Sequence, residues 1–223
     1  GPVLEVGAGT GRILLALAGA GVGVVGLEPD AGLAAVARRR LAAAPAAVRR
    51  RTRLVSGRVE ELDLADRFTA ALIPYRGFQH LLTPPDQAQA LGRLRDHLAP
   101  GGLLAMDTYD PLAEVAAEGL VLPLRLDTDF VDVTTGRLVH VWYTRRIDLE
   151  LQLLEQDLVF EEVDGDGATV ARNLSGLTLR FTPRQEMEYL LELSGFAVEE
   201  LYGDFAGGPY RGSGTQVWIA RKA

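Results

Sequence analysis

The sequence predicts an α/β fold: a doubly wound sheet, mostly parallel with an antiparallel C-terminal hairpin, plus an antiparallel β insert. Three observations predict it. The chain opens on an apolar strand, a glycine turn and an amphipathic helix, running from Val3 to Leu17. Strand and helix patterns then alternate as far as about Asp110. From about Leu124 to Phe181, strand instead follows strand, with Thr135-Gly136 and Asp164-Gly165-Asp166-Gly167 as turns.

Val3, Leu4 and Val6 read as a short buried strand, Gly7, Gly9 and Gly11 as a tight turn, and Ile13, Leu14 and Leu17 as the inner face of a helix. Glycines remove each Cβ where a ligand must approach the backbone, and they permit positive φ. The loop is therefore expected to turn its amides and a helix N-terminus toward the ligand. A second strand, Val22 to Leu27, ends in Glu28, about twenty residues on, where a Rossmann-like unit places the acid that holds a ribose diol. The ligand then contains a nucleoside. The spacing is G-x-G-x-G, and Arg12 stands where the dinucleotide fingerprint has its last glycine, which argues against a pyrophosphate. Glu5, beside the loop, suits a cationic ligand better than a diphosphate. S-adenosylmethionine meets both constraints.

Asp30 reads as the N-cap of a second helix with the stripe Leu33, Val36, Ala37 and Leu41, ended by Pro45. Arg53–Ser56 is a third strand, followed by Gly57-Arg58-Val59-Glu60. Phe68–Ile73 is a fourth, central strand stopped by Pro74. Tyr75 to Leu81 then lies at that strand's C-terminal end, where open α/β sheets bind ligands. Thr83 with Pro84 starts a helix whose Leu91, Leu94 and Leu98 face inward, and Pro100-Gly101-Gly102 stops it before the strand Leu103–Met106. Asp107-Thr108-Tyr109-Asp110-Pro111 leaves the sheet on the ligand side, which makes Tyr109 a pocket candidate. In the insert, Asp129–Val133, Leu138–Ile147, Leu151–Val163 and Leu177–Phe181 are the expected strands. Thr182-Pro183 opens a helix closed by Gly195, and Ala197–Tyr202 with Gln216–Ala220 form the final hairpin.

The run Glu5-Val6-Gly7-Ala8-Gly9-Thr10-Gly11, with Glu28 in register and Pro29-Asp30 after it, resembles motif I of the class I S-adenosylmethionine-dependent methyltransferases. Leu98-Ala99-Pro100-Gly101-Gly102-Leu103-Leu104 is a second resemblance. The likeness implies that Glu5, Gly7, Ala8, Gly9, Thr10, Gly11, Glu28 and Pro29 bind S-adenosyl-L-methionine. It extends the cofactor site to Arg58 and Val59 and to Ile73, Pro74 and Tyr75 at the end of the fourth strand. Arg58 stands where the family often has an acid contacting the adenine amino group, leaving Glu60 or the Val59 backbone as substitutes. His80 and Tyr75 are the catalytic candidates, His80 as a proton acceptor or equally as a residue that caps a helix or packs under the cofactor. Tyr109, Tyr143, Arg145 and Tyr210 are the candidate acceptor contacts, with Trp142 and Arg211 beside them. Trp142 and Tyr143 alternate in a strand, so one of the two is expected to face a core.

The 223 residues, read as one methyltransferase domain with its insert at about 124–181, carry a net charge of -7. That disfavours the basic faces that nucleic acids demand. The trios Arg38-Arg39-Arg40, following a helix, and Arg49-Arg50-Arg51, in a connection, read as solvated faces. No cysteine is present, so thiolate chemistry and Cys-based metal sites are excluded, and no metal is expected. No apolar run is long enough to span a bilayer and no signal-peptide pattern opens the chain, so the expectation is a cytoplasmic monomer or homodimer. The chain starts without methionine on its first core strand, from which a missing N-terminal segment is expected. Two alternatives stay open beside methyl transfer to a small-molecule N or O nucleophile. One is an NAD-dependent oxidoreductase. The other is an S-adenosylmethionine-binding module without turnover.

Overall fold

The computed structural model describes Gly1–Ala223 and divides it into two compact units, Gly1–Asp110 with Thr182–Ala223, and Pro111–Phe181. The first unit holds strands β1 (Val3–Val6), β2 (Val24–Glu28), β3 (Thr52–Ser56), β4 (Phe68–Ile73) and β5 (Leu98–Asp110). Helices α1 (Arg12–Gly19), α2 (Ala31–Ala43), α3 (Ala46–Arg51) and α4 (Pro84–His97) join them. Helix α5 (Leu112–Glu118) and strands β6 (Val121–Val131), β7 (Leu138–Asp148), β8 (Leu153–Val163) and β9 (Thr169–Arg180) make up the second unit. Helix α6 (Arg184–Leu193) and strands β10 (Phe196–Tyr202) and β11 (Gly214–Lys222) return to the first.

The seven-stranded sheet has the order β10-β11-β5-β4-β1-β2-β3. β1 to β5 are parallel, and β11 enters antiparallel to β5 and to β10. Strand order reverses between β1 and β4, which puts the ligand edge at the carboxyl ends of those two strands. β2 is buried at all five positions, as expected of a parallel strand covered on both faces. Leu4, Phe68, Leu91, Leu94, Leu104, Trp218 and their neighbours fill the main core. His97 is structural: its Nε2 accepts the Leu64 amide at 2.9 Å while Nδ1 meets the Arg93 carbonyl at 2.7 Å.

The four-stranded antiparallel sheet, in the order β6-β7-β8-β9, occupies the stretch expected to be an insert. Both flanking strands start earlier than expected: pairing with β7 carries β6 back to Val121 and Leu122, and pairing with β8 carries β9 back to Thr169 through the polar Arg172 and Asn173. Its two faces differ. Val139, Val141, Ile147, Leu154 and Leu179 are buried on one. On the other, Arg146 pairs with Glu155, Arg172 with Glu161, and Thr144 with Asp157.

Several local expectations shift. The second strand runs from Val24 through Glu28, since Val22 closes the turn by bonding the Leu17 carbonyl. In α2 the buried residues are Ala34 and Ala37, whereas Leu33 is exposed, because only small side chains fit where α2 crosses the loop at Gly11. Both arginine trios lie inside helices, Arg38-Arg39-Arg40 in α2 and Arg49-Arg50-Arg51 in α3. Leu98 begins β5 rather than ending α4, and Pro100-Gly101-Gly102 lies within that strand at a register shift. Trp142 and Tyr143 are both half-buried: Tyr143 shares the face of Val139, Val141 and Ile147, and Trp142 lies on the opposite, charged face, where its Nε1 donates to Glu161 at 3.2 Å.

Candidate active site

The glycine loop takes the conformation that its residues favour. Gly7, Gly9 and Gly11 have φ of 72°, 55° and 81°. A Cβ on Gly7 would meet nothing within 4 Å, and one on Gly9 only the Gly7 carbonyl at 3.9 Å, so the loop opens onto free space. Gly11, the N-cap of α1, has a second reason: a Cβ there would lie 3.2 Å from that of Ala37.

The loop amides, however, are spent inside the protein. Gly7 and Ala8 both donate to the Leu27 carbonyl, at 2.9 and 3.0 Å, Gly11 donates to Ala8 at 2.8 Å, and Gly9 donates to the Glu28 carboxylate at 2.7 Å. This corrects the expectation that they face a ligand. The glycines provide room and curvature, and the amides of Gly7, Ala8, Gly9 and Gly11 are already engaged. Thr10 is engaged as well, its hydroxyl and carbonyl accepting from Arg40 at 2.7 and 3.2 Å.

Glu28 is held rather than free. One carboxylate oxygen accepts the Gly9 amide and the other the Asp30 amide, at 2.7 and 2.8 Å, and the residue is 4% exposed. Each oxygen keeps a second lone pair, so the fixed carboxylate can still accept two hydroxyls at once. Pro29 is exposed, and Asp30 caps α2 by accepting from the Leu33 amide at 2.7 Å.

Glu5 is the electrostatic centre of the edge. It is 1% exposed, and its Oε2 has no hydrogen-bond partner. Burial pushes its carboxyl up from 4.5 to about 7, with Arg12 opposing that shift and Glu28 adding to it. A buried, half-ionised carboxyl with an unmet oxygen is costly unless a cation arrives. An acidic pair beside open space thus fits a ligand that brings a ribose diol and a positive charge.

Elsewhere on this edge, Arg58 pairs with Glu60 at 2.5 Å, so the two residues considered for the adenine end hold one another. Val59 is buried beside them in a 3-10 turn. Ile73 is buried at the end of β4, Pro74 is half-buried, and Tyr75 is 83% exposed. Tyr75 and Arg76 both have φ of 59°. His80 keeps an exposed ring, yet the protein crowded around it lowers its pKa, with Glu28 opposing. Tyr109 lies under the Arg76 guanidinium, 4.3 Å from the ring centroid, and its backbone is clasped by the Gln79 side chain at 2.9 and 3.0 Å. Tyr210 closes a buried chain in which Trp218 donates to Thr108, Thr108 to Gln216, Gln216 to Tyr210 and Tyr210 to Asp110, over 2.8–3.3 Å.

The structure therefore brings Glu5, Gly7 to Gly11, Glu28, Pro74, Tyr75, His80, Tyr109 and Tyr210 into the first unit. Tyr143 and Arg145 belong to the second. There Tyr143 is half-buried opposite Arg125, and Arg145 is 3% exposed, with its guanidinium 2.5 Å from Glu114. Asp107, Gln79, Asp110 and Gln216 were missed, since nothing local separates them from other strand-end polar residues. No group of three or more His, Cys, Asp or Glu side chains is placed to hold a metal, and no helix is long and apolar enough to cross a membrane.

Residues 3–102 match the family model of a methyltransferase domain. The glycopeptide N-methyltransferase MtfA, solved with S-adenosyl-L-methionine, is 27% identical over 99% of this chain and 86% of its own, with a TM-score of 0.62. Over residues 3–102 the chain carries an S-adenosylmethionine-dependent methyltransferase domain. Two further structures share the fold. The CcbJ methyltransferase from Streptomyces caelestis is 24% identical, covers 100% of this chain and 83% of its own, and has a TM-score of 0.83. CalS10 from Micromonospora echinaspora, an amino pentose methyltransferase involved in calicheamicin biosynthesis, was solved with S-adenosylmethionine and has the same identity and coverage, with a TM-score of 0.76. No curated protein matches the chain. Methyl transfer displaces the nicotinamide alternative.

Proposed function

We propose that this methyltransferase transfers its methyl group to an amine nitrogen of a small-molecule acceptor, an amino sugar or a comparable natural-product amine. The bound cofactor supplies an electrophilic methyl group on a cationic sulfonium. Toward it, Glu28 would hold the ribose hydroxyls, Glu5 would face the positive end, the glycine loop would leave space, and Val59, Ile73 and Pro74 would line the edge. Arg58 takes no direct part in this reading and fixes Glu60.

The observation that carries nitrogen over oxygen is the likeness over 99% of the chain to a glycopeptide N-methyltransferase, and the lowered pKa of His80 agrees with it. A weakened imidazole is neutral at physiological pH but a poor base for a hydroxyl, whereas an amine needs only to arrive unprotonated and to lose a proton after transfer. Two of the buried carboxylates are engaged, Asp107 by two backbone amides and Asp110 by Tyr210, and a third, Glu5, is assigned to the positive end of the cofactor. Tyr75, Tyr109 and Tyr210 are assigned to the acceptor side in the first unit, whereas Arg145 supports the sheet of the second through Glu114.

The amine-methylating relatives support this class. KedS8 from Streptoalloteichus is a sugar N-methyltransferase, and MtfA a glycopeptide N-methyltransferase. A panel of amino-sugar, amine and hydroxyl acceptors scored for S-adenosylhomocysteine release tests it. Turnover confined to amines, rising with pH as the acceptor loses its proton, is expected. Turnover on hydroxyl acceptors alone would overturn the nitrogen assignment.

A further inference from the structure

The turn after β4 is held in a conformation that its own residues disfavour. Tyr75 and Arg76 are consecutive, neither is glycine, and both sit in the left-handed region. Asp107 holds them there. Its Oδ1 accepts the Tyr75 amide at 2.6 Å and its Oδ2 the Arg76 amide at 3.0 Å, with the side chain buried. Sheet register makes this possible: Ile73 pairs with Met106, so Asp107 falls just beyond the end of β4. The turn also abuts the end of β1, because a Cβ on Gly77 would come within 3.9 Å of the Val6 carbonyl. Tyr75, 83% exposed, has little packing of its own, so the backbone decides where its phenol points.

We propose that Asp107 is a positioning residue for methyl transfer. Its two oxygens fix the left-handed Tyr75–Arg76 pair and so aim Tyr75 at the ligand edge. The companion contacts, Arg76 over the Tyr109 ring and Gln79 clasping the Tyr109 backbone, tie the turn and the end of β5 into one unit that Asp107 closes. The proposal rests on the reading that Tyr75 belongs to the transfer site.

Asp107→Asn tests it in the full chain, because a carboxamide is nearly isosteric but has a single acceptor oxygen for two amides. Hydrogen exchange at the Tyr75 and Arg76 amides should accelerate about tenfold or more, while the Gly9 and Asp30 amides on Glu28 keep their protection. The turnover number should fall about ten- to a hundredfold, with cofactor Kd changed less than about threefold. Tyr75→Ala should lose a similar factor, and the double variant should be no worse than the poorer single one, as residues acting through each other are non-additive. Unchanged exchange at residues 75 and 76, or additive losses in the double variant, would overturn the proposal. Exchange needs neither acceptor nor turnover, so an inert acceptor panel, which defeats the functional reading, leaves that arm standing.

Discussion

The two sheets treat charge in opposite ways. At the carboxyl edge of the seven-stranded sheet, Glu5, Glu28 and Asp107 are buried, and Glu28 and Asp107 are satisfied by backbone amides. On the outer face of the four-stranded sheet, Arg146, Glu155 and Arg172 are solvated and paired side chain to side chain. Backbone amides cannot move away, so the first arrangement fixes each carboxylate for a task, at a desolvation cost. Flexible ion pairs in water contribute little to stability, and the second arrangement keeps a sheet face soluble. Burial and the kind of partner, more than the number of charges, separate the working edge from the surface.

The comparison is tested hardest at Glu28. Glu28→Ala removes the ribose contact and also strands the Gly9 and Asp30 amides, so cofactor affinity should drop by about 2 to 4 kcal/mol, read by calorimetry. An affinity within twofold of wild type would make the fixed carboxylate a purely structural clasp.

Glu5 sharpens the contrast through pH. Its carboxyl is raised to about 7 in the folded protein, so between its ordinary value and 7 the folded state holds a proton that the unfolded state releases. Its contribution to ligand-free stability is therefore fully present at low pH and is lost as pH rises through 7, by about 3 kcal/mol. Glu5→Gln should abolish that decline in denaturation curves taken at about pH 5 and about pH 8. Cofactor binding below pH 7 should expel the proton, seen as a buffer-dependent heat that the variant lacks. A wild-type slope in Glu5→Gln would mean that another group titrates.

Packing behind the loop gives a smaller effect. A Cβ on Gly26 would come within 2.9 Å of both the Ala8 Cβ and a Leu14 methyl, so Gly26→Val should destabilise by about 1 to 3 kcal/mol and weaken cofactor binding through the displaced loop. Thermal melting and titration report both, and a stable variant with normal affinity would show that the loop tolerates displacement. The smallest effect belongs to the solvated face. Arg146→Ala should leave melting and cofactor affinity indistinguishable from wild type, and a clear loss of either would erase the distinction between the two regions.

The sequence by itself determined the alternation of strands and helices, the turn at Gly7, Gly9 and Gly11, and the register of Glu28. These rest on local rules: apolar period, glycine at positive φ, and a constant span from loop to second strand. Tertiary structure decided what those residues touch. The loop amides were expected to be free, but the neighbouring β2 presents the Leu27 carbonyl and the Glu28 carboxylate to them. Asp107 looked like any polar strand end until pairing of Ile73 with Met106 set it beneath two strained amides from more than thirty positions earlier. Thr108 and Asp110 acquired their places from Gln216 and Tyr210, about a hundred positions away. Such contacts depend on strand register across the sheet, which no window of neighbouring residues encodes.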